Sequence, residues 1–179
     1  MGRFLNKRER EELKMNGKEQ QRYYERFQNR GFVEKLVFNG VKKEYVKEIE
    51  EFAGELRDEN FEPTQMYRIF NELVRINEEI KQDRLDFEEL NKRLLVLRPR
   101  IAYTFARIIG RKDTKEKKME RNKVKVIGSF GKFIINAIDL ITEKNDENAL
   151  NYFKNFFYVY ESILAYHKAA IVMKSDRRR

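Results

Sequence analysis

From Val41 onward the apolar residues of this chain return at three- and four-residue steps in segment after segment, and nowhere do they alternate one in, one out. That period belongs to an α-helix with one buried face, whereas a half-buried strand needs a period of two. The pattern therefore predicts an all-α fold of about five helices packed as a single-domain bundle. The bundle is expected over residues 41–173, after a basic amino-terminal extension over 1–40 and before a basic disordered tail over 174–179.

Val41, Tyr45, Ile49, Phe52 and Leu56 make the first stripe. The next begins near Pro63, with Thr64 as the expected cap, and runs to about Gln82 through Met66, Ile69, Leu73, Ile76 and Ile80. Asp86 followed by Glu89 forms a capping-box start to a third, through Phe87, Leu90, Leu94 and Leu97. Pro99 then predicts a kink or a restart. Gly110 to Lys123 is so charged that a loop or frayed turn is expected, with Asp113 or Thr114 as a cap. Val124 to Thr142 resumes the period as a central helix, and Asn145, Asp146 and Glu147 precede a long closing one. The closing stripe is Leu150, Phe153, Phe157, Tyr160, Leu164, His167 and Ile171, with Phe156, Ile163 and Ala170 in a second row. Aromatics at this spacing read as core, and His167 as a packed, hydrogen-bonded core histidine. Before Val41, the residues Phe4, Leu5, Leu13, Tyr23, Tyr24 and Phe27 are too scattered for a continuous stripe, so the extension reads as mobile or partly helical. Its patch from Phe32 to Phe38, closed by Asn39 and Gly40, reads as a docking strap for the core or a partner.

Composition narrows the function. Without cysteine there is neither disulfide nor thiolate metal site, and the one histidine cannot build an imidazole site. The chain has no glycine-rich phosphate loop, no nucleophile–base set and no inward row of carboxylates, so it reads as a non-enzyme with no catalytic residues, cofactor or metal. The charged start and the absence of any long apolar run predict a cytoplasmic protein without a membrane span. A net charge of +9 points to an anionic partner. The charge is also polarised: residues 41–90 carry eight Lys/Arg against fifteen Asp/Glu, and 91–132 carry fourteen against three. Such polarity suits nucleic-acid binding, head-to-tail stacking of copies, or both.

The richest stretch is Leu94 to Arg111. At about 100° per residue, Leu94, Leu97, Ile101, Phe105 and Ile108 fall on one stripe, while Arg100, Thr104, Arg107 and Arg111 cluster about a quarter-turn away. Arg100 to Arg111 spans roughly 16 Å along the axis, a length over which an extended strand offers several phosphates. On the helix before it, Arg68 and Arg75 each have a glutamate four residues on, Glu72 and Glu79, which suggests intrahelical pairing, more so for Arg75. Tyr103 and Tyr166 are expected to be core or inter-helix contacts rather than base stackers.

Three segments carry a resemblance: Thr64, Gln65, Met66, Tyr67, Arg68, Ile69, Phe70; then Leu97, Arg98, Pro99, Arg100, Ile101, Ala102, Tyr103 with Ala106 and Arg107; and Phe157, Glu161, Ser162, Ile163, Leu164, Ala165, Tyr166, His167, Lys168. In this order they resemble the small helical subunit of type III-A CRISPR effector ribonucleoproteins, the Csm complexes. The likeness covers roughly Val41 to Val172, and its middle segment is the most specific; the extension before Val41 departs from the shorter family pattern. It implies a non-catalytic subunit in antiviral and anti-plasmid defence, present in several copies that stack as the minor filament. Its partners would be the guide and target RNA, the backbone and large subunits, and further copies of itself. Because base pairing reads the sequence, such a subunit need supply only phosphate contacts and shape. Arg100 and Arg107 are the first candidates for RNA binding, followed by Arg68, Arg98 and Arg111. Two alternatives remain open: a helical DNA-binding regulator, and a purely architectural assembly protein whose basic patch meets acidic neighbours.

Overall fold

A computed structural model describes residues 22–110, 117–144 and 146–176, without the side chains of 117–120 and 170–176. Its described residues form seven helices and no strand: α1 (Tyr23–Gln28), α2 (Arg30–Asn39), α3 (Lys43–Asp58), α4 (Pro63–Lys81), α5 (Phe87–Gly110), α6 (Lys117–Lys144) and α7 (Asn148–Asp176).

The two long helices α6 and α7 make the centre, and between them they touch all five others. This follows from their sequence. Ile127, Phe130, Ile134, Ile138 and Ile141 form one buried stripe on α6, widened by Phe133, Ala137 and Leu140. On α7, Phe153, Phe156, Phe157, Tyr160, Ile163 and Leu164 are buried over more than one face, as expected of a helix with neighbours on several sides. Phe130 is the hub, with rings of Phe61, Phe105, Phe133 and Tyr160 at centroid distances of 5.9, 5.9, 6.3 and 5.4 Å. The buried Tyr160 hydroxyl donates to the Met66 carbonyl at 2.9 Å, which satisfies the ring's polar end and ties α7 to α4. Burial pushes its phenol pKa well above the ordinary value.

The part of 1–40 that the structure describes belongs to this core. Tyr24, Phe27, Phe32, Val33, Leu36 and Val37 are buried, and α1 and α2 lie along α6 and α7. Phe27 stacks on Phe52 of α3 at 4.1 Å. Glu55 of α3 accepts the Tyr23 and Tyr24 backbone N–H groups at 3.2 and 2.7 Å, doing for α1 what its own Arg22 does not do as N-cap. Burial raises the Glu55 pKa, and the two N–H donors oppose that rise. The turn expected at Asn39 and Gly40 is present: Gly40 has φ 72°, and a Cβ there would lie 2.8 Å from Asn155 Oδ1. Asn155 Nδ2 closes the end of α2 by donating to the Val37 and Phe38 carbonyls.

Several boundaries differ from the sequence expectation. Helix α3 begins at Lys43, so Val41 precedes it and is exposed. The N-cap of α4 is Glu62 with Pro63 in the first position, leaving Thr64 inside the first turn, not at the cap. Asp86 does cap α5, accepting the Glu89 N–H at 2.8 Å, and α5 continues through Pro99 as one helix. Residues 117–123, expected as a loop or frayed helical turn, are the first turns of α6, and 174–176, expected as a disordered tail, close α7. Residues 1–21 with Phe4, Leu5 and Leu13, the proposed caps Asp113 and Thr114, Asn145 and Arg177 to Arg179 lie outside the described residues, as do the side chains of Ala170 and Ile171.

Candidate nucleic-acid interface

Helix α5 has two working sides. Leu94, Leu97, Ile101 and Phe105 are buried, Ile108 packs against them, and this apolar side lies along α6. The approach is closest at Gly131, where an added Cβ would stand 2.7 Å from the Phe105 ring. Beside it, Arg98 grips Asp139 of α6 with two parallel bonds, Nε to Oδ1 at 2.6 Å and Nη2 to Oδ2 at 3.0 Å. The Asp139 carboxylate raises the guanidinium's pKa still further, so Arg98 is a strap between helices.

The other side faces α4 without packing backbone to backbone; the two helices leave a groove of about 250 Å³. Glu72, Arg75 and Ile76 of α4 and Glu89, Lys92, Arg93, Val96, Leu97 and Arg100 of α5 line it. One end is closed by Arg93, whose Nη2 lies 2.7 Å from Glu79 Oε2; that bond raises the Arg93 pKa. Because Glu79 is engaged across the groove, Arg75, four residues before it, is left without an ion pair among the described residues. Arg68, Arg100 and Arg107 have none among them either, Arg68 and Arg100 being exposed and Arg107 half-buried.

Glu79, near the end of α4, bonds Arg93, near the start of α5, and the groove is lined from there back to Glu72 on α4 and on to Arg100 on α5, so the two helices are antiparallel. Arg68 lies one turn before Glu72 on α4 and Arg107 two turns after Arg100 on α5, outside the groove's lining. The groove begins with a closed ion pair and continues past Arg75 and Arg100. Of the five arginines expected at a binding site, Arg100 lines this groove, Arg98 is turned to Asp139, and Arg68 and Arg107 are not among the lining residues; Arg111 lies outside the described residues. The structure adds Arg75, which local sequence had assigned to Glu79. Thr104 Oγ1 is engaged, donating to the Arg100 carbonyl at 2.8 Å.

Two expectations about aromatic and titratable groups change. Tyr103 is 68% exposed, neither core nor inter-helix contact; Tyr166 is half-buried against the core. His167 is buried as expected; neither ring nitrogen meets hydrogen-bond geometry among the described residues, although the Phe61 backbone lies near enough to oppose the effect of burial on its pKa. Burial lowers its pKa, which holds the imidazole neutral at neutral pH. Among the described residues no cluster of His, Asp and Glu is placed to hold a metal ion, and no helix is long and apolar enough to cross a membrane.

Fold and site together define an all-helical protein with an open groove between α4 and α5 lined by arginines. The model of the family Csm2 Type III-A matches residues 40–171, and the chain belongs to that family. It is accordingly a small subunit of the type III-A CRISPR effector complex, a partner of the other Csm subunits. No curated protein and no solved structure gave a significant match.

Proposed function

We propose that this subunit holds target RNA in the effector complex through the α4–α5 groove, with Arg100 and Arg107 as principal phosphate contacts and Arg68 and Arg75 beside them. The observation that carries the reading is the uneven pairing along the groove. Arg93 and Arg98, close to carboxylates, are tied down, while the four other arginines have no ion pair among the described residues. A cation without a carboxylate is free to displace counterions from a phosphate backbone. The contact is sequence-blind, leaving recognition to base pairing with the guide RNA. Copies stack as the minor filament beside the guide-bearing backbone subunits, for which the net −7 of residues 41–90 and net +11 of 91–132 offer complementary surfaces. The subunit is non-catalytic, and cleavage belongs to its neighbours.

The test is the variant Arg100→Ala with Arg107→Ala, co-expressed with the other type III-A subunits and a guide RNA. Native mass spectrometry should find it incorporated in the same number of copies. Target-RNA affinity should fall, and the dependence of log affinity on log salt should flatten by about one to two. Loss of the subunit from the particle before any loss of RNA affinity would favour an architectural role for the same arginines.

A further inference from the structure

Tyr103 stands out from the other aromatic residues with described side chains. Phe130, Phe133, Phe156 and Tyr160 pack ring on ring in the core, whereas Tyr103 is the most exposed large apolar side chain named among the described residues, 68% accessible. Among those residues its ring stacks on no other and its hydroxyl has no hydrogen-bond partner. A single exposed tyrosine would mean little. This one lies between Arg100, three residues before it, and Arg107, four after it, both without ion pairs among the described residues. Val96, one apolar step further back on the same face, is 55% exposed. At about 1.5 Å per residue the two guanidiniums stand roughly 10 Å apart along the axis with the ring between them.

Resting on the proposed RNA-binding role, we propose that Tyr103 is a stacking platform for an unpaired base, so that the strand on this face carries at least one base out of its stack. Two phosphates held by Arg100 and Arg107 bring the intervening nucleotide over the ring, and an aromatic face accepts any base without reading its edge. Edge reading has little to work with here, since the Thr104 hydroxyl is already bonded to the Arg100 carbonyl. A duplex hides its base faces, so the ring distinguishes an opened strand from a closed one while the arginines do not.

The experiment compares an adenine-rich single-stranded RNA carrying 2-aminopurine with a fully paired RNA duplex of the same length, titrated with the full-length chain at one ionic strength. Tyr103→Leu, which keeps apolar bulk and removes the ring, should weaken single-strand binding about tenfold and abolish the 2-aminopurine quench, with duplex affinity unchanged. Tyr103→Phe should behave as the native chain. Arg100→Ala with Arg107→Ala should weaken both RNAs. Stacking is overturned, and phosphate binding stands, if the arginine variant is impaired while Tyr103→Leu binds the single strand normally or loses both RNAs equally. A native chain that binds neither RNA overturns the RNA-binding reading itself. If Tyr103→Leu instead changes only the oligomeric state on sizing, the ring is a protein contact.

Discussion

The two flanks of α5 carry the same residue type to opposite ends. Towards α6, Arg98 meets Asp139 in a two-bond fork and the Phe105 ring lies over Gly131, so charge and volume are both matched. Towards α4, the match holds at Arg93 and Glu79 and then stops, leaving Arg75 and Arg100 along the groove and Arg68 and Arg107 beyond it. What separates a structural arginine from an available one is the carboxylate across the gap, 41 residues away for Arg98 and 14 for Arg93. Spacing within one helix did not decide it: Glu79 lies four residues from Arg75 and bonds Arg93 instead.

If the flanks are independent, damage to one should not reach the other. The largest effect belongs to Phe105→Ala on the α6 flank. The ring is 5% exposed and touches Phe61 and Phe130; its removal should cost about 3–5 kcal/mol in urea unfolding and leave the salt dependence of RNA binding by the folded protein unaltered. A change in that slope would show that the seam shapes the groove. Next comes Arg98→Ala. Its guanidinium is 41% exposed and Asp139 24%, so the pair is worth about 1 kcal/mol or less, again with an unaltered slope. A flatter slope in this variant would mean that Arg98 leaves Asp139 for a phosphate.

Helix stripes were legible from sequence because burying one face of a helix imposes its period on the residues, as in Met66 to Ile80 or Ile127 to Ile141. Six-residue α1 and ten-residue α2 were harder: each is too short to show a stripe, and Phe27 is buried by Phe52, a residue 25 positions on. The cap expected at Thr64 gave way to Pro63, whose fixed φ suits the first helical position. In the site, the place of Arg100 beside the buried stripe of α5 followed from that helix alone. Arg75, Arg98 and Tyr103 did not follow, because their partners, or the absence of neighbours, depend on how α4, α5 and α6 lie together.

Arg75→Ala has the smallest expected effect on folding and draws the comparison most sharply. With Glu79 bonded to Arg93, the Arg75 guanidinium has no ion pair to lose among the described residues, so unfolding free energy should change by no more than about 0.5 kcal/mol. As one phosphate contact, it should flatten the RNA salt slope by about one. Lys47→Ala provides the control, since that residue lies on α3, which is not a wall of the groove; there both stability and slope should be unchanged. The opposite signature for Arg75→Ala, a stability loss of about 0.3–0.5 kcal/mol with no change in slope, is that of an intrahelical pair with Glu79 or Glu72. In that case the glutamates would be shared between the two walls, and the RNA-facing set would contract to Arg68, Arg100 and Arg107.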